Sequence, residues 1–93
     1  MILAEGVGPV LEAGEVAEAI VAAIRESNPG VEVQNRGSYW RVTASQRCVL
    51  ERRAVERILG RPFSLPGDLE QLMPAFSGAI SFSAEAVVWR HGG

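Results

Sequence analysis

The sequence predicts an α+β fold: one small domain of antiparallel strands with two to three short helices, laid out as two strand-helix-hairpin-like halves. Three observations predict it. Apolar residues recur at helical spacing between residues 15 and 26 and again between 52 and 59. They alternate at strand spacing in residues 31–36 and 38–44. Gly or Pro punctuates most junctions, and no stretch is long enough for a linker or a second domain.

Each element has its own reason. Residues 1–6 read as a flexible lead, residues 7–91 as the single domain and residues 92–93 as a frayed tail. Val7 to Leu11 forms a first strand, which Pro9 restricts to an edge or a strand start because it cannot donate to a ladder. Ala13-Gly14 opens a helix with Glu15 and Glu18 at its positive end. Val16, Ile20, Ala23 and Ile24 share one face, and Glu18, Ala22, Arg25 and Glu26 cover the other. Asn28-Pro29-Gly30 stops this helix, since the residue before Pro is pushed out of the α region.

A hairpin follows. Val31 and Val33 oppose Glu32, Gln34 and Arg36, while Trp40, Val42 and Ala44 oppose Tyr39, Arg41 and Thr43. Asn35-Arg36-Gly37 makes the turn, with a positive φ expected at Gly37. Gln46 to Glu51 reads as a strand. Arg52 to Leu59 is a helix with Val55, Ile58 and Leu59 inward and Gly60 as its cap. Pro66 to Met73 is a second short helix burying Leu69, Leu72 and Met73. Ala79 to Phe82 and Ala86 to Arg90 pair around Ser83-Ala84-Glu85.

The side-chain inventory excludes much chemistry. The chain has 93 residues, net charge −2, one His, one Cys and no Lys. A general base needs a positioned His, and His91 sits near the terminus. One Cys and one His cannot supply a zinc site, and without Lys there is no P-loop and no Schiff base. Gly6-Val7-Gly8 lacks the rest of a dinucleotide fingerprint. No Glu-x-x-His pair exists, so a diiron site of its own is excluded. The acidic balance argues against a small nucleic-acid-binding module, the alternative reading. Tyr39 and Trp40 are adjacent on a strand, so they face opposite ways and cannot stack bases together. Cys48 reads as a small buried apolar residue. Arg52, Arg53 and Arg57 form a basic patch, read as solvated element ends or as a docking site for an acidic partner. The lone Cys, and the lack of a basic start and a long apolar run, predict a soluble cytoplasmic protein that touches no membrane.

The order and punctuation of Val7-Gly8-Pro9-Val10, Ser27-Asn28-Pro29-Gly30, Ser38-Tyr39-Trp40-Arg41-Val42, Leu59-Gly60-Arg61-Pro62-Phe63 and Phe76-Ser77-Gly78 resemble one family. It is that of the effector (coupling or regulatory) proteins of soluble bacterial diiron multicomponent monooxygenases. The Val-Gly-Pro opening is more similar to the toluene, xylene and alkene branch than to the phenol branch. Arg47 and Cys48 stand where relatives tend to have acidic or aliphatic residues.

The resemblance implies a non-catalytic protein without a cofactor, monomeric when free. It implies binding to the diiron hydroxylase component, with altered turnover, coupling and regiospecificity through helices near the diiron site. The candidate partner-binding residues are Val7, Gly8, Pro9, Asn28, Pro29, Gly30, Arg36, Tyr39 and Arg41. Tyr and Arg are favoured interface anchors. Local physics alone predicts one mutational outcome. Gly60→Val should lower unfolding free energy by about 1–2 kcal/mol, because a β-branched residue is strained at positive φ; urea denaturation measures it.

Overall fold

The computed structural model describes residues 6–91, and the rest of the expected lead and the 92–93 tail lie outside the described residues. Gly6, the last residue of that lead, already lies against Thr43 and Ala44. The element order is β1 (Gly8–Glu12), α1 (Glu15–Ser27), β2 (Glu32–Asn35), β3 (Tyr39–Thr43), β4 (Arg47–Glu51), α2 (Arg52–Leu59), α3 (Gly67–Glu70), β5 (Ala75–Ser77), β6 (Ala79–Phe82) and β7 (Ala86–Arg90).

Two antiparallel sheets result. The first runs β2-β3-β1-β5 and the second β4-β7-β6. The α+β class and antiparallel pairing are as expected. The two halves are not separate, because β5, from the second half, joins β1 of the first. Sequence reading left residues 75–77 unassigned, since three residues carry too little alternation to register. Only Gly78 separates β5 from β6, at φ 96°. A Cβ there would lie 2.7 Å from the Arg90 carbonyl and 2.8 Å from Val7 Cγ1, so the strand changes sheets where only glycine fits.

Pro9 was expected at an edge or a strand start, and it is the second residue of a strand that is not an edge. β1 lies inside its sheet, between β3 and β5. Pairing to β3 covers Val10 to Glu12 and resumes at the Val7–Ala44 bridge, so the ladder lapses where Pro9 has no N–H to give. Gly37 and Gly60 take the expected positive φ, and the Gly60 N–H donates to the Glu56 carbonyl.

Helix α1 is buried more broadly than one stripe. Ala17, Ala19, Ile20, Val21, Ala23 and Ile24 are all buried, whereas Val16 is half-buried. It packs on β4 and α2, so two sides of the cylinder lose water. Burying one such large aliphatic side chain contributes about 1.5–3 kcal/mol. Ile58 was expected inward, yet it is 36% exposed. Helix α2 offers only Val55 fully to the core, and Leu59 is half-buried. Helix α3 is shorter than its pattern, and Leu72 and Met73 beyond it are half-buried while Leu69 is buried. No helix among the described residues is long and apolar enough to cross a membrane.

Asn28 joins helix to sheet. Its amide donates to the Ile24 carbonyl at 2.7 Å and the Val49 carbonyl at 2.8 Å, and its Oδ1 accepts from the Val49 N–H at 2.9 Å. The side chain, 8% exposed, thereby stands in for a strand residue beside β4. Asn28→Ala should lower unfolding free energy by about 2 kcal/mol, the cost of stranding these partly buried groups; a lower urea midpoint at unchanged slope would register it.

Candidate docking surface

The first sheet has one face on the core and one face open. Trp40, Val42, Leu11, Val33 and Pro9 point inward. On the other face, Gln34, Arg41, Val10 and Ala75 lie in register across all four strands. Tyr39 lies opposite Glu12, and Thr43 opposite Glu32, on that same face. Arg36 follows β2 and reaches back to Gln34, its Nη2 donating to Oε1 at 3.3 Å. The hairpin therefore brings Arg36, Tyr39 and Arg41 together as the alternation predicts.

Beside them is a shallow hollow lined by Val10, Glu12, Ala13, Ser38, Tyr39 and Pro74. Its walls are held by backbone bonds: the Ala13 N–H donates to the Ser38 carbonyl at 3.0 Å, and the Glu12 N–H to the Leu72 carbonyl at 2.8 Å. Tyr39 is 40% exposed. Arg41 makes no ion pair among the described residues. Such a group is free to pair with a carboxylate or carbonyl of a partner.

Other candidates fall elsewhere. Val7, Gly8 and Pro9 are buried. At Gly8 a Cβ would meet the Val42 carbonyl oxygen at 2.4 Å, so its role in this chain is close strand packing. Asn28 is spent on Val49. Pro29 and Gly30 are exposed, at the Glu32–Thr43 end of the hairpin and away from Tyr39. Sequence reading missed Val10, Glu12 and Pro74. They share a surface with the hairpin only because β1 pairs with β3, and no local spacing encodes that pairing.

The basic patch is largely committed to the fold. Arg52 pairs with Glu56 and Glu85, each at 2.8 Å, and donates to the Ala84 carbonyl at 3.1 Å. Arg57 pairs with Glu26, and Arg61 with Glu15 at 3.5 Å. These are partly exposed pairs, of small individual worth, but they tie α2 to α1 and to the β6–β7 turn. Glu56 also accepts the Phe63 N–H at 2.9 Å, which seats buried Phe63 after the Gly60 turn.

Nothing reactive accompanies the surface. Burial pushes the Cys48 thiol up to about 12, so it remains protonated at neutral pH. His91 lies with Nε2 2.8 Å from the Ser45 carbonyl, a contact made by donation when that nitrogen carries the proton. Among the described residues no three His, Cys, Asp or Glu side chains are grouped to hold a metal ion.

Fold and surface together define a small α+β protein of two antiparallel sheets, with one sheet face open and no metal-holding cluster among the described residues. The chain belongs to the MmoB/DmpM family, whose model matches residues 5–90. It is an effector protein of a multicomponent monooxygenase, a regulatory rather than catalytic component. The effector subunit of the alkene monooxygenase system of Xanthobacter autotrophicus strain Py2 is 40% identical over 85 residues, spanning 89% of this chain and 83% of that protein. Its alkene system agrees with the branch expected from Val-Gly-Pro. The fold also matches a chain in a phenol hydroxylase–regulatory protein complex, with TM-score 0.83 at 21% identity over 92% of this chain and 98% of that one. It matches the soluble methane monooxygenase regulatory protein B with TM-score 0.72 at 18% identity, over 99% of this chain and 68% of that one.

The Glu56 contacts set a pH dependence. The Phe63 N–H, first, and then Arg52 hold its carboxyl below the ordinary value of 4.5. A depressed folded-state value stabilises above the unfolded value and is lost as pH falls through the folded one. Glu56→Gln should therefore narrow the stability difference between pH 7 and pH 3, measured by thermal unfolding across that range.

Proposed function

We propose that this chain binds the diiron hydroxylase component of an alkene or aromatic hydrocarbon monooxygenase through the open face of its first sheet. Docking favours one hydroxylase conformation near the diiron site and so raises turnover, coupling and regiospecificity. The effector works in the cytoplasm and brings no cofactor of its own.

Support comes from two directions. The Xanthobacter relative is named as an effector subunit of an alkene monooxygenase system, and a chain of like fold was solved in complex with phenol hydroxylase. The observation that carries the choice of face is Arg41. It stands exposed beside Tyr39 and the Val10–Pro74 hollow, with no tertiary pairing of its own among the described residues. A guanidinium, an aromatic rim and a shallow apolar floor suit an amphipathic segment bearing a carboxylate. The effector is then an allosteric ligand, and only its differential affinity for two hydroxylase states matters. A tenfold shift in active population needs about 1.4 kcal/mol of that difference.

The test is a titration of purified cognate hydroxylase and reductase with this chain. Product formation should rise and saturate near stoichiometric addition; a flat response rejects the proposal. Arg41→Ala should raise the half-saturating concentration about tenfold, a loss within the usual range for an interface anchor, with an unchanged circular dichroism spectrum and melting temperature.

A further inference from the structure

One pair of charges outside the hairpin face is unanswered among the described residues. The Arg52 N–H donates to the Glu85 carbonyl at 2.9 Å, so these two residues form a hydrogen-bonded pair at one end of the β4–β7 ladder. Pairs alternate along an antiparallel ladder. Arg47–Arg90, five residues further along, is then a non-hydrogen-bonded pair, the kind whose side chains stand closest. Two guanidinium side chains therefore rise from directly opposite positions on one face of the second sheet. Like charges so placed repel. Both residues are exposed, and neither pairs with a carboxylate among the described residues. Arg90 reaches the Ser81 hydroxyl, its Nη2 donating to Oγ at 3.4 Å. Glu51, the acid on the same face of β4, lies four residues on, about 13 Å along the strand. Between the arginines and Glu51, half-buried Val49 and Val88 pair to make an apolar floor.

This face runs on from the one that carries Arg41. Residues 75–81 pass from the first sheet to the second without changing sides. Ile80 packs against the core, and a Cβ at Gly78 would meet buried Val7 at 2.8 Å, so both positions face inward. Ala75, Ser77, Ala79 and Ser81 then share the outer side. There Ala75 stands in register with Val10 and, across β1, with Arg41. Ala79 stands in register with Arg90 and, across β7, with Arg47. One short run of small residues thus joins the two open faces.

We propose that Arg47 and Arg90 are a second anchor of the same docking surface, taking a carboxylate on an acidic segment of the hydroxylase. This rests on the hydroxylase reading of the hairpin face. Charge selects the occupant. A carboxylate set between two guanidiniums accepts from both and replaces their repulsion with attraction. The Val49–Val88 floor accommodates the apolar part of the same segment. A nucleic acid is a poor occupant, because Glu51 and Glu85 stand together at the other end of the ladder and the net charge is −2.

Titration of purified hydroxylase and reductase with this chain, at low and at high salt, tests the second anchor. Arg47→Glu sets opposite charges across the ladder, so its melting temperature should equal or exceed that of wild type. Its half-saturating concentration should nevertheless rise about tenfold at low salt, and the ratio to wild type should shrink as salt screens the contact. Arg90→Ala should raise that concentration about fivefold with an unchanged circular dichroism spectrum, which keeps the test decisive should Arg47→Glu misfold. Folded variants that saturate like wild type overturn the inference and leave the hydroxylase proposal standing. A loss that ignores salt also overturns it. A flat response to the wild-type chain removes both. If the variants activate normally while inorganic phosphate raises the melting temperature of wild type and not of Arg90→Ala, the pair holds a free anion and the docking role is overturned.

Discussion

The Asn28 amide between Ile24 and Val49 is the constraint on which the rest of this structure depends. It does three things with one side chain. It continues the hydrogen bonding of α1 past the point where Pro29 ends the helix. It takes both backbone groups of Val49 on the outer edge of β4, as a neighbouring strand would. It also fixes where the chain leaves α1, which packs on β4, for the first sheet, since Pro29-Gly30 leads toward β2. The apolar groups of α1 and β4, Ile20, Ile24, Cys48 and Leu50 among them, are fully buried in the same core. Burial of a polar side chain there is tolerable because both ends of the amide are satisfied.

The polar side chains divide into those that hold and those left over. Arg52, Arg57 and Arg61 each reach a carboxylate on another turn or element, and Glu56 takes a backbone N–H besides. Arg41 has no such duty. Among the described residues it makes no ion pair, and it lies exposed, in register with Val10 of the shallow hollow. Arg52, Arg53 and Arg57 are denser in sequence than Arg36 and Arg41, yet two of those three are tied to carboxylates of the fold.

Glycine at position 78 stands between the two sheets. Before it, β5 extends the sheet whose open face carries Tyr39 and Arg41; after it, β6 forms an edge of the other sheet. At this point Gly78 lies close against the Arg90 carbonyl of one sheet and the Val7 side chain beside the other. One short run of chain thus contributes a strand to each of the two sheets.

The sequence by itself determined the α+β class, the two main helices, the hairpin alternation and its outward Arg36, Tyr39 and Arg41, and the punctuation that carries the family likeness. These are local properties, written in spacing and turn chemistry within a few residues. Only the tertiary structure decided that Pro9 lies in an interior strand, that β5 exists, that Glu56 and Asn28 are structural, and that Val10 and Pro74 join the hairpin face. Each of these depends on a pairing between segments far apart in the chain. Such pairings are chosen by which apolar faces can be buried together and which backbone groups then find partners, and neither is a property of any single stretch of sequence.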